Sequence, residues 1–554
     1  MARRLITLIC LTSLVYGSEN LKGQALYRIN QGKIAEGIEA YQELVKTIGK
    51  QDHELLEQIS LSILARGFEE REPEKQVLAL FGASVSMNDK VDRFFEMAYR
   101  SPYPQIQLAA LNAATKTHTE MSNFLLGQAI GSSHPLIRLE AALLMAERKT
   151  PGASIKIESL MQKMESEVHF IFPKLFAMIG DKESTKILRR LVTHPDEKVR
   201  AESLIAIGNA NRDDLIMEVK RCLNHPDPMT LEAAIYAAGA LKDETTIPFI
   251  KRHTQSSNAA VRLAALNSLA MMKDKGALNE IVYLASEENP FAITLLGEYE
   301  EGDPVLIKLL DSQNSTTRIN ATASLLKHKN PAGLKGLPEV LIKSPRDLCF
   351  IPLASQGGSL KSVKSIPSSK QNLAENPIAF EMSLSFREEV LRDAFNLPDQ
   401  YGFEIIRILF QVEQTDLIPL AMDLLESHPN EKTIAYLKEQ EQKLGSPFIR
   451  YFSALALMNM GIEGPYSEKI ASYLINSKDI DLVKFRPFIP WELRGEITPY
   501  ELTVNDHSSL FIAAIEGLAQ KRDEKGIQTL IEMLSKRDDP NRYIIAGILL
   551  RTIQ

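Results

Sequence analysis

The chain alternates apolar stretches that have helical spacing with polar or glycine-containing turns such as "GDKEST", "LKDETT" and "MKDKGA". In "KGIQTLIEML" apolar residues recur at i, i+3, i+4 and i+7, namely Ile527, Leu530, Ile531 and Leu534. They form one stripe along a helix, and a lone helix leaves such a stripe exposed to water. The pattern therefore predicts helical hairpins that cover one another by stacking.

One recurring phrase gives the length of the repeated unit. It reads "HPDEKVRAESLIAIG" from His194, "HPDPMTLEAAIYAAG" from His225 and, in an earlier copy, "HPLIRLEAALLMAE" from His134. The first two copies start 31 residues apart. Three arginines hold one place in this pattern at intervals of 62 residues, which is twice that length: Arg138, Arg200 and Arg262. At least eight units of about 31 residues are therefore expected between residues 70 and 340.

The first helix of each predicted pair is rich in small residues, as in Ala233, Ala234, Ala237, Ala238 and Gly239. Small side chains let neighbouring backbones approach closely, which favours a continuous stack of hairpins. A chain of 554 residues is also too long for one ordinary core. The predicted fold class is all-α, an α-solenoid of stacked helical hairpins in two blocks with irregular inserts.

Breaks in the period set the predicted boundaries. The first break is rich in Ser, Pro, Lys and Gly, and the second carries the only Trp of the chain. The predicted divisions are 1–17, a signal peptide; 18–69, an N-terminal helical cap; 70–342, a repeat block; 343–381, an insert or linker; 382–477, a second helical block; 478–507, an aromatic, proline-containing insert; and 508–554, the C-terminal repeats.

The recurring "HPDEKVRAESLIAIG" phrase resembles the short bacterial form of the HEAT repeat, which is also found in bilin-lyase-like proteins. The resemblance covers residues 70 to 340 and, less regularly, 400 to 554. It implies an α-solenoid. It does not imply one activity, because such repeats serve scaffolds, adaptors and enzymes alike.

The segment before the array, "ALYRINQGKIAEGIEAYQELVK", resembles half of a tetratricopeptide repeat. Gly32 stands at the turn, Gly37 where the two helices would cross, and Tyr41 at the large packing position. Arg28 and Ile34 depart from the pattern, since an aromatic residue is usual at those positions. We expect this segment to cap the first repeat of the array.

Histidines followed by proline mark the predicted junctions between units, at His134, His194, His225 and His428. Proline disfavours helix for the residue before it and is tolerated in the first turn of the next helix. Equivalent positions in successive units should lie about 8–10 Å apart, whereas Zn–N bonds are about 2.0–2.1 Å long. The histidines are therefore interpreted as helix boundaries, and no metal site is predicted.

The recurring arginines, which include Arg318, have two interpretations. They could line a groove that captures acidic peptides through forked hydrogen bonds. The favoured interpretation is that each arginine binds carbonyls or a carboxylate of the turn that precedes its own helix.

The N-terminus "MARRLITLICLTSLVYG" has a basic start and an apolar run, which are typical of a secretory signal peptide. We expect cleavage near Gly17 and Ser18 and an exported protein, either periplasmic or secreted. No later stretch is long and apolar enough for a transmembrane helix, so no integral membrane segment is predicted.

The formal net charge of −7 argues against a general affinity for nucleic-acid phosphates, although it is compatible with a local basic stripe. Cys222 and Cys349 have no CxxC spacing, and whether they pair is left open. In "MEVKRCLNH", Cys222 is expected to be a small buried residue.

No P-loop, nucleophile elbow, HExxH or dinucleotide fingerprint occurs, so no catalytic residue and no cofactor is predicted. The favoured function is an exported, non-enzymatic scaffold that binds a protein or envelope partner. Two alternatives stay open: a bilin-lyase-like or other transferase, and a nucleic-acid-binding HEAT-like protein. The sequence does not indicate an oligomeric state.

The candidate partner-binding segment is "KFRPFIPWELRGEITPY", because it joins aromatic and arginine side chains in a stretch without helical period. The alternative is that its aromatic residues fill the seam between two repeat blocks. The candidate residues are Phe485, Arg486, Phe488, Trp491 and Arg494.

Overall fold

The computed structural model describes residues 19–115, 120–342, 377–412, 414, 417–443, 445–476, 484–485, 502–503 and 506–554. These residues are helical apart from turns and one antiparallel pair of two-residue strands, β1 (Lys484–Phe485) and β2 (Leu502–Thr503). Lys484 pairs with Thr503, and Phe485 with Leu502. The predicted signal peptide and most of the two predicted inserts lie outside the described residues.

The helices of the first part of the chain follow in hairpin order. They are α1 (19–30), α2 (Ile34–Ile48), α3 (His53–Glu69), α4 (Pro73–Val85), α5 (Asp92–Tyr99), α6 (Pro104–Thr115), α7 (Glu120–Ala129), α8 (Pro135–Glu147), α9 (Ala153–Lys163), α10 (Phe172–Ile179), α11 (Lys182–Leu191), α12 (Glu197–Asn209), α13 (Ile216–Cys222), α14 (Pro228–Ala240) and α15 (Ile247–Lys251).

The remaining helices continue the same alternation. They are α16 (Ala259–Met271), α17 (Lys275–Ser286), α18 (Pro290–Leu295), α19 (Asp303–Leu309), α20 (Ser315–Lys327), α21 (Leu337–Leu341), α22 (Pro377–Phe395), α23 (Gly402–Val412), α24 (Ile418–Ser427), α25 (Glu431–Gln442), α26 (Pro447–Asn459), α27 (Tyr466–Asn476), α28 (Asp506–Lys521), α29 (Glu524–Lys536) and α30 (Arg542–Thr552).

Short 3₁₀ turns lie between or beside these helices. They are Asp89–Val91, Ser166–Ile171, Asp213–Leu215, Glu244–Thr246, Leu296–Glu298, Glu300–Gly302, Pro331–Lys335 and Asp399–Tyr401.

The predicted stack of hairpins is confirmed. Helices α4 to α21 follow one another in the alternating order that the period predicts, and the first helices α12, α14 and α16 begin 31 residues apart and pack side by side. The stripe predicted on α29 is buried throughout: Ile527, Leu530, Ile531 and Leu534 are each at most 3% exposed. The chain thus has the all-α, solenoid type of fold that its periodicity predicts.

Local side-chain chemistry starts and ends the helices of each hairpin. Asp227 caps α14 by accepting the Thr230 N–H at 2.9 Å. Two residues after α14 ends, Lys242 adopts the left-handed conformation, with φ 53°, and its cation lies near the negative end of the helix dipole. The next residue, Asp243, accepts the Thr245 N–H and begins the following turn of helix. Each hairpin therefore carries its own start and stop signals.

Small residues allow the close approach of the first helices, as predicted. A Cβ built on Gly239 of α14 would lie 2.6 Å from the Cβ of Ser268 in α16. The Ser268 hydroxyl in turn donates to the Ile235 carbonyl at 2.8 Å. In a later pair, the Ser324 hydroxyl donates to the Ile293 carbonyl at 3.0 Å. These neighbouring helices are thus joined by polar contacts as well as by apolar packing.

Packing divides the chain into two compact units. The terminal unit contains the described residues of Met1–Ala129, Ile418–Phe488 and Tyr500–Gln554, and the central unit contains those of Ile130–Leu417 and Ile489–Pro499. In the central unit, α22 and α23 pack on α20 and α21 and extend the stack by another hairpin. Each unit therefore has its own helical stack.

The terminal unit joins the two ends of the chain. Helix α30 packs against α3 and α4, and every residue from Tyr543 to Leu550 is buried. The Tyr543 hydroxyl lies 3.2 Å from a carboxylate oxygen of Glu70. The linear order of the repeats alone does not predict this association of the first repeats with the last.

The N-terminal hairpin has the packing that its sequence suggests. Gly32 takes φ 83° at the turn between α1 and α2. A Cβ on Gly37 would lie 2.7 Å from the side chain of Ile29, so the two helices cross at a position that needs glycine. Tyr41 is fully buried, and its hydroxyl donates to Gln51 at 2.7 Å.

Candidate functional site

The His-Pro junctions are structural elements of the helix starts. The Nδ1 atom of His194 accepts the backbone N–H of Asp196 at 3.1 Å, and His225 accepts that of Asp227 at the same distance. Asp196 then accepts the N–H of Lys198 at 2.8 Å and begins α12. The interpretation of these two histidines as helix boundaries is confirmed.

The surroundings of His194 favour its neutral form, which its acceptor role requires. Burial lowers the pKa of its imidazole, and the ring of His169, whose centroid lies 6.2 Å away, lowers that pKa further. A protonated Nδ1 would have no lone pair for the Asp196 N–H. Protonation of His194 would therefore weaken the start of α12.

The recurring arginines bind the preceding turn, which confirms the favoured interpretation. Each donates Nη1 to the carbonyl six residues earlier: Arg138 to Ser132 at 2.8 Å, Arg200 to His194 at 2.8 Å, Arg262 to Ser256 at 2.8 Å, and Arg318 to Ser312 at 2.6 Å. Arg200 also reaches Asp227 of the next repeat, and Arg318 reaches Glu339 in the second helix of its own hairpin. These guanidinium groups are engaged within the stack.

A second set of cations recurs on the second helices of the central unit. Basic pairs stand 31 residues apart, at Arg189 and Arg190 of α11, at Lys220 and Arg221 of α13, and at Lys251 and Arg252 at the end of α15. The last residue of each pair is exposed. We call the exposed residues Arg190, Arg221 and Arg252 the arginine row.

The first residue of each pair links one repeat to the next. Arg189 binds Glu218 at 3.2 Å, Lys220 binds Asp243 at 2.7 Å, and Lys251 binds Asp274 at 3.0 Å. The Lys251 ammonium, together with the Ala277 N–H, lowers the pKa of Asp274. These cations are therefore neutralised within the structure.

The arginine row is neutralised only at one end. Arg190 forms an ion pair with Glu158 of α9. Arg221 and Arg252 have no carboxylate within ion-pair distance among the residues that the structure describes. Two neighbouring guanidinium groups are thus free to bind an external acid.

Exposed apolar side chains accompany these arginines. Met217 is 57% exposed one helical turn before Arg221, and Phe249 is 38% exposed one turn before Arg252. The Arg252 guanidinium lies 5.4 Å from the centre of the Phe249 ring. Tyr283 of α17, which is 58% exposed, occupies the place 31 residues after Arg252. The surface therefore alternates cationic and apolar positions.

The segments that carry the arginine row contain more cations than carboxylates. Segments 182–191, 216–222 and 247–252 contain two carboxylates, Glu183 and Glu218. The same segments contain eight cations: Lys182, Lys186, Arg189, Arg190, Lys220, Arg221, Lys251 and Arg252. Five of these cations form ion pairs, namely Lys186, Arg189, Arg190, Lys220 and Lys251. Among the described residues, the cations of these segments that have no carboxylate at ion-pair distance are Lys182, Arg221 and Arg252, on a chain whose formal net charge is −7.

The arginines of the first helices act as the sequence predicted, but the arginine row was not among the predicted site residues. The recurrence of basic pairs at the 31-residue interval is the signal that could have found this row. The predicted site residues Arg486, Phe488, Trp491 and Arg494 lie outside the described residues, and of Phe485 only its place in β1 is described.

The described residues carry few other features that suggest a functional site. The described residues include no group of three or more His, Cys, Asp and Glu side chains arranged to hold a metal ion. In that same part of the chain, no helix has both the length and the apolar character needed to cross a membrane.

Cys222 is a buried free cysteine, as expected. In α22, burial and then the Glu389 carboxylate raise the pKa of Asp393 to about 6.

Comparison with known families identifies the repeats that carry the arginine row. The family of HEAT repeats matches residues 184–270, which span most of α11 through most of α16. Together with the hairpin stack, this match shows that the chain is a helical-repeat protein with HEAT repeats and an α-solenoid fold. No curated protein matches the sequence.

Solved structures include distant helical-repeat neighbours. Human deoxyhypusine hydroxylase in complex with glycerol aligns over 47% of this chain and 96% of its own, with 13% identity and a TM-score of 0.23. The karyopherin Kap121p bound to the extreme C-terminus of the protein phosphatase Cdc14p aligns over 94% of this chain and 62% of its own, with 14% identity and a TM-score of 0.36. Kap121p alone gives 13% identity and a TM-score of 0.30. These structural similarities are too low to support any inference about function.

Proposed function

We propose that the chain is a scaffold without enzymatic activity that binds a protein partner through the arginine row. The observation that carries the proposal is the exposure of Arg221 and Arg252, free of carboxylate partners in the described part of the chain, beside Met217 and Phe249. Arginine, methionine and aromatic residues are enriched at protein interfaces, and arginine and aromatic residues dominate their binding energy.

The repeat architecture supports this role. The arginine row lies on, or directly after, consecutive second helices, and ion pairs hold each of these helices to the next repeat. Its side chains are therefore presented from a rigid framework. A surface that is already ordered loses little conformational entropy on binding. Repeats of this kind offer extended surfaces to their partners.

The partner is expected outside the cytoplasm. The basic start at Arg3 and Arg4 and the apolar run after it support export, with the mature chain beginning near Ser18. N-terminal sequencing of the protein from its own cells tests this point. Recovery of an intact Met1 terminus from the cytoplasmic fraction would overturn export without affecting the binding proposal.

The aromatic insert at 478–507 is a second candidate contact. If Trp491 anchors a partner, Trp491→Ala weakens binding while the melting temperature stays near that of the wild type. If Trp491 fills a seam instead, the same variant opens a cavity and costs about 3–5 kcal/mol of stability. A strongly destabilised variant that still binds its partner when folded would exclude the anchor role.

Differential capture tests the proposed function. The mature wild-type protein, the Arg221→Ala/Arg252→Ala variant and a control are each used to capture proteins from an envelope and extracytoplasmic extract. The control, Lys198→Ala/Lys308→Ala, removes two exposed positive charges of the central unit outside the arginine row. The proposal expects a protein retained by the wild type and the control and lost from the first variant. Identical sets of captured proteins would contradict it.

A further inference from the structure

The spacing of the arginine row indicates which shape of ligand it fits. Arg221 and Arg252 hold equivalent positions in consecutive repeats, 31 residues apart. The two repeats are in direct contact, since His253 Nε2 lies 3.2 Å from the Leu223 carbonyl oxygen. Neighbouring packed helices are about 8–10 Å apart. Ligand charges that meet both guanidinium groups must therefore be separated by a similar distance.

A polyproline II segment provides this spacing. It rises about 3.1 Å per residue with three residues per turn, so side chains at i and i+3 lie on one side, about 9 Å apart. In a β-strand, residues i and i+2 share a side at only about 6.6 Å, and residue i+3 points away. A carboxylate at every third residue of a polyproline II segment thus meets successive positions of the row.

The chemistry of the row favours carboxylates on a short peptide. Guanidinium groups bind carboxylates through paired hydrogen bonds. Met217 and Phe249 give the residues between the acids an apolar surface. A phosphate chain favours an unbroken run of free cations, but Arg189, Lys220 and Lys251 are already paired.

An acidic segment already has the extended shape that the arginine row requires before the segment binds. Like charges along a peptide repel one another and keep it extended. A short isolated helix, by contrast, is marginal in water and would have to be ordered at the surface. The extended form therefore enters the site at the lower entropic cost.

We infer that the row binds an extended acidic segment of the partner protein, with carboxylates three residues apart and one of them on each of Arg221 and Arg252. This inference rests on the proposed function, because it names the part of the partner that the scaffold recognises. Arg190 extends the row by one position when its ion pair with Glu158 opens.

Synthetic probes test the inference. A fluorescent seven-residue peptide with Glu at positions 1, 4 and 7 and Pro elsewhere is compared with an isomer that has Glu at positions 1, 2 and 3. We expect the spaced peptide to bind more tightly, by about threefold or more, and Arg221→Ala/Arg252→Ala to weaken it about tenfold or more. Lys198→Ala/Lys308→Ala is expected to change its affinity by less than about twofold. Circular dichroism melts establish that each variant is folded.

The outcomes separate the inference from the proposed function. Equal binding of the two peptides, binding of neither, or preferential binding of a single-stranded oligonucleotide of similar charge overturns the inference. If captured proteins still depend on Arg221 and Arg252 in that case, the protein-binding function stands and only the ligand shape is wrong. If the spaced peptide binds but no captured protein depends on the row, the proposed function fails.

Discussion

Gly82 of α4 and Gly547 of α30 bring two helix backbones into direct contact. A Cβ built on Gly547 would lie 1.9 Å from the Gly82 carbonyl oxygen, and one built on Gly82 would lie 2.2 Å from the Tyr543 carbonyl oxygen. Neither distance can be reached without movement of the backbone. The association of the first repeats with the last in the terminal unit therefore depends on glycine at both positions.

Gly547→Ala is expected to destabilise the protein, since the added methyl group forces α4 and α30 apart. Overpacking of this kind costs about 1–3 kcal/mol. Gly127→Ala is a matched control, because Gly127 also lies in a helix of the terminal unit but has no atom within 4 Å of its Cβ position. The control variant should be more stable than the wild type by about 0.5–1 kcal/mol, because alanine is a better helix former than glycine. Chemical unfolding of the two variants measures the difference, and equal stabilities would contradict this account of α30.

Arg200→Ala is expected to destabilise the central unit by about 2–3 kcal/mol, because charged hydrogen bonds are lost from a largely buried side chain. Arg200 donates to the carbonyls of His194 and Pro195 and pairs with Asp227. Arg262→Ala should cost less, about 1–2 kcal/mol, because within the described part of the chain Arg262 donates only to the Ser256 carbonyl. Urea denaturation ranks the two variants. Exposed Lys198 on the same helix as Arg200 provides the control, and Lys198→Ala should change stability by less than about 0.5 kcal/mol.

His194→Asn should change stability at neutral pH by about 1 kcal/mol or less, because an asparagine oxygen can also accept the Asp196 N–H. The wild type has a folded-state pKa below that of the unfolded chain, so its histidine contributes stability above pH of about 6.5. That contribution is lost as pH falls through the lower folded-state pKa. Thermal melts should therefore show the wild type losing stability relative to the variant below pH of about 6.5. Parallel melting curves over this range would contradict the acceptor role of His194.

Asp393→Asn should have the opposite dependence on pH. Burial raises the folded-state pKa of Asp393 to about 6, so the folded protein binds this proton more tightly than the unfolded chain does. The carboxyl group favours folding when protonated, and this advantage is lost as pH rises through about 6. The variant should be more stable than the wild type at pH of about 8, and the difference should shrink as pH falls from about 6 to about 4, near the unfolded-state pKa. A difference that is constant with pH would show that Asp393 titrates as an exposed carboxyl group.

The periodic features of the structure could be predicted from the sequence because they are local. The bond from Arg200 to the His194 carbonyl joins residues six positions apart and recurs with the repeat, so the repeat itself reveals it. The contact of Gly82 with Gly547 has no such signal, since each glycine lies in an ordinary repeat helix and their association depends on the path of the whole terminal unit. The free arginines were missed for a related reason. Lys220 and Arg221 are adjacent and equally charged, and only the packing of the next repeat pairs one of them with Asp243 and leaves the other free.

Photo-crosslinking in native cells tests the central claim most directly. A photoreactive phenylalanine analogue is placed at Met217 or Tyr283 beside the arginine row, and at exposed Phe124 in the terminal unit as a control. The account predicts that Met217 and Tyr283 give an adduct with one and the same protein, that Phe124 does not, and that Arg221→Ala/Arg252→Ala removes the adduct. The absence of a protein adduct at both row positions, or an adduct that persists when both arginines are replaced, would contradict the claim that the arginine row is where this HEAT-repeat protein binds its partner.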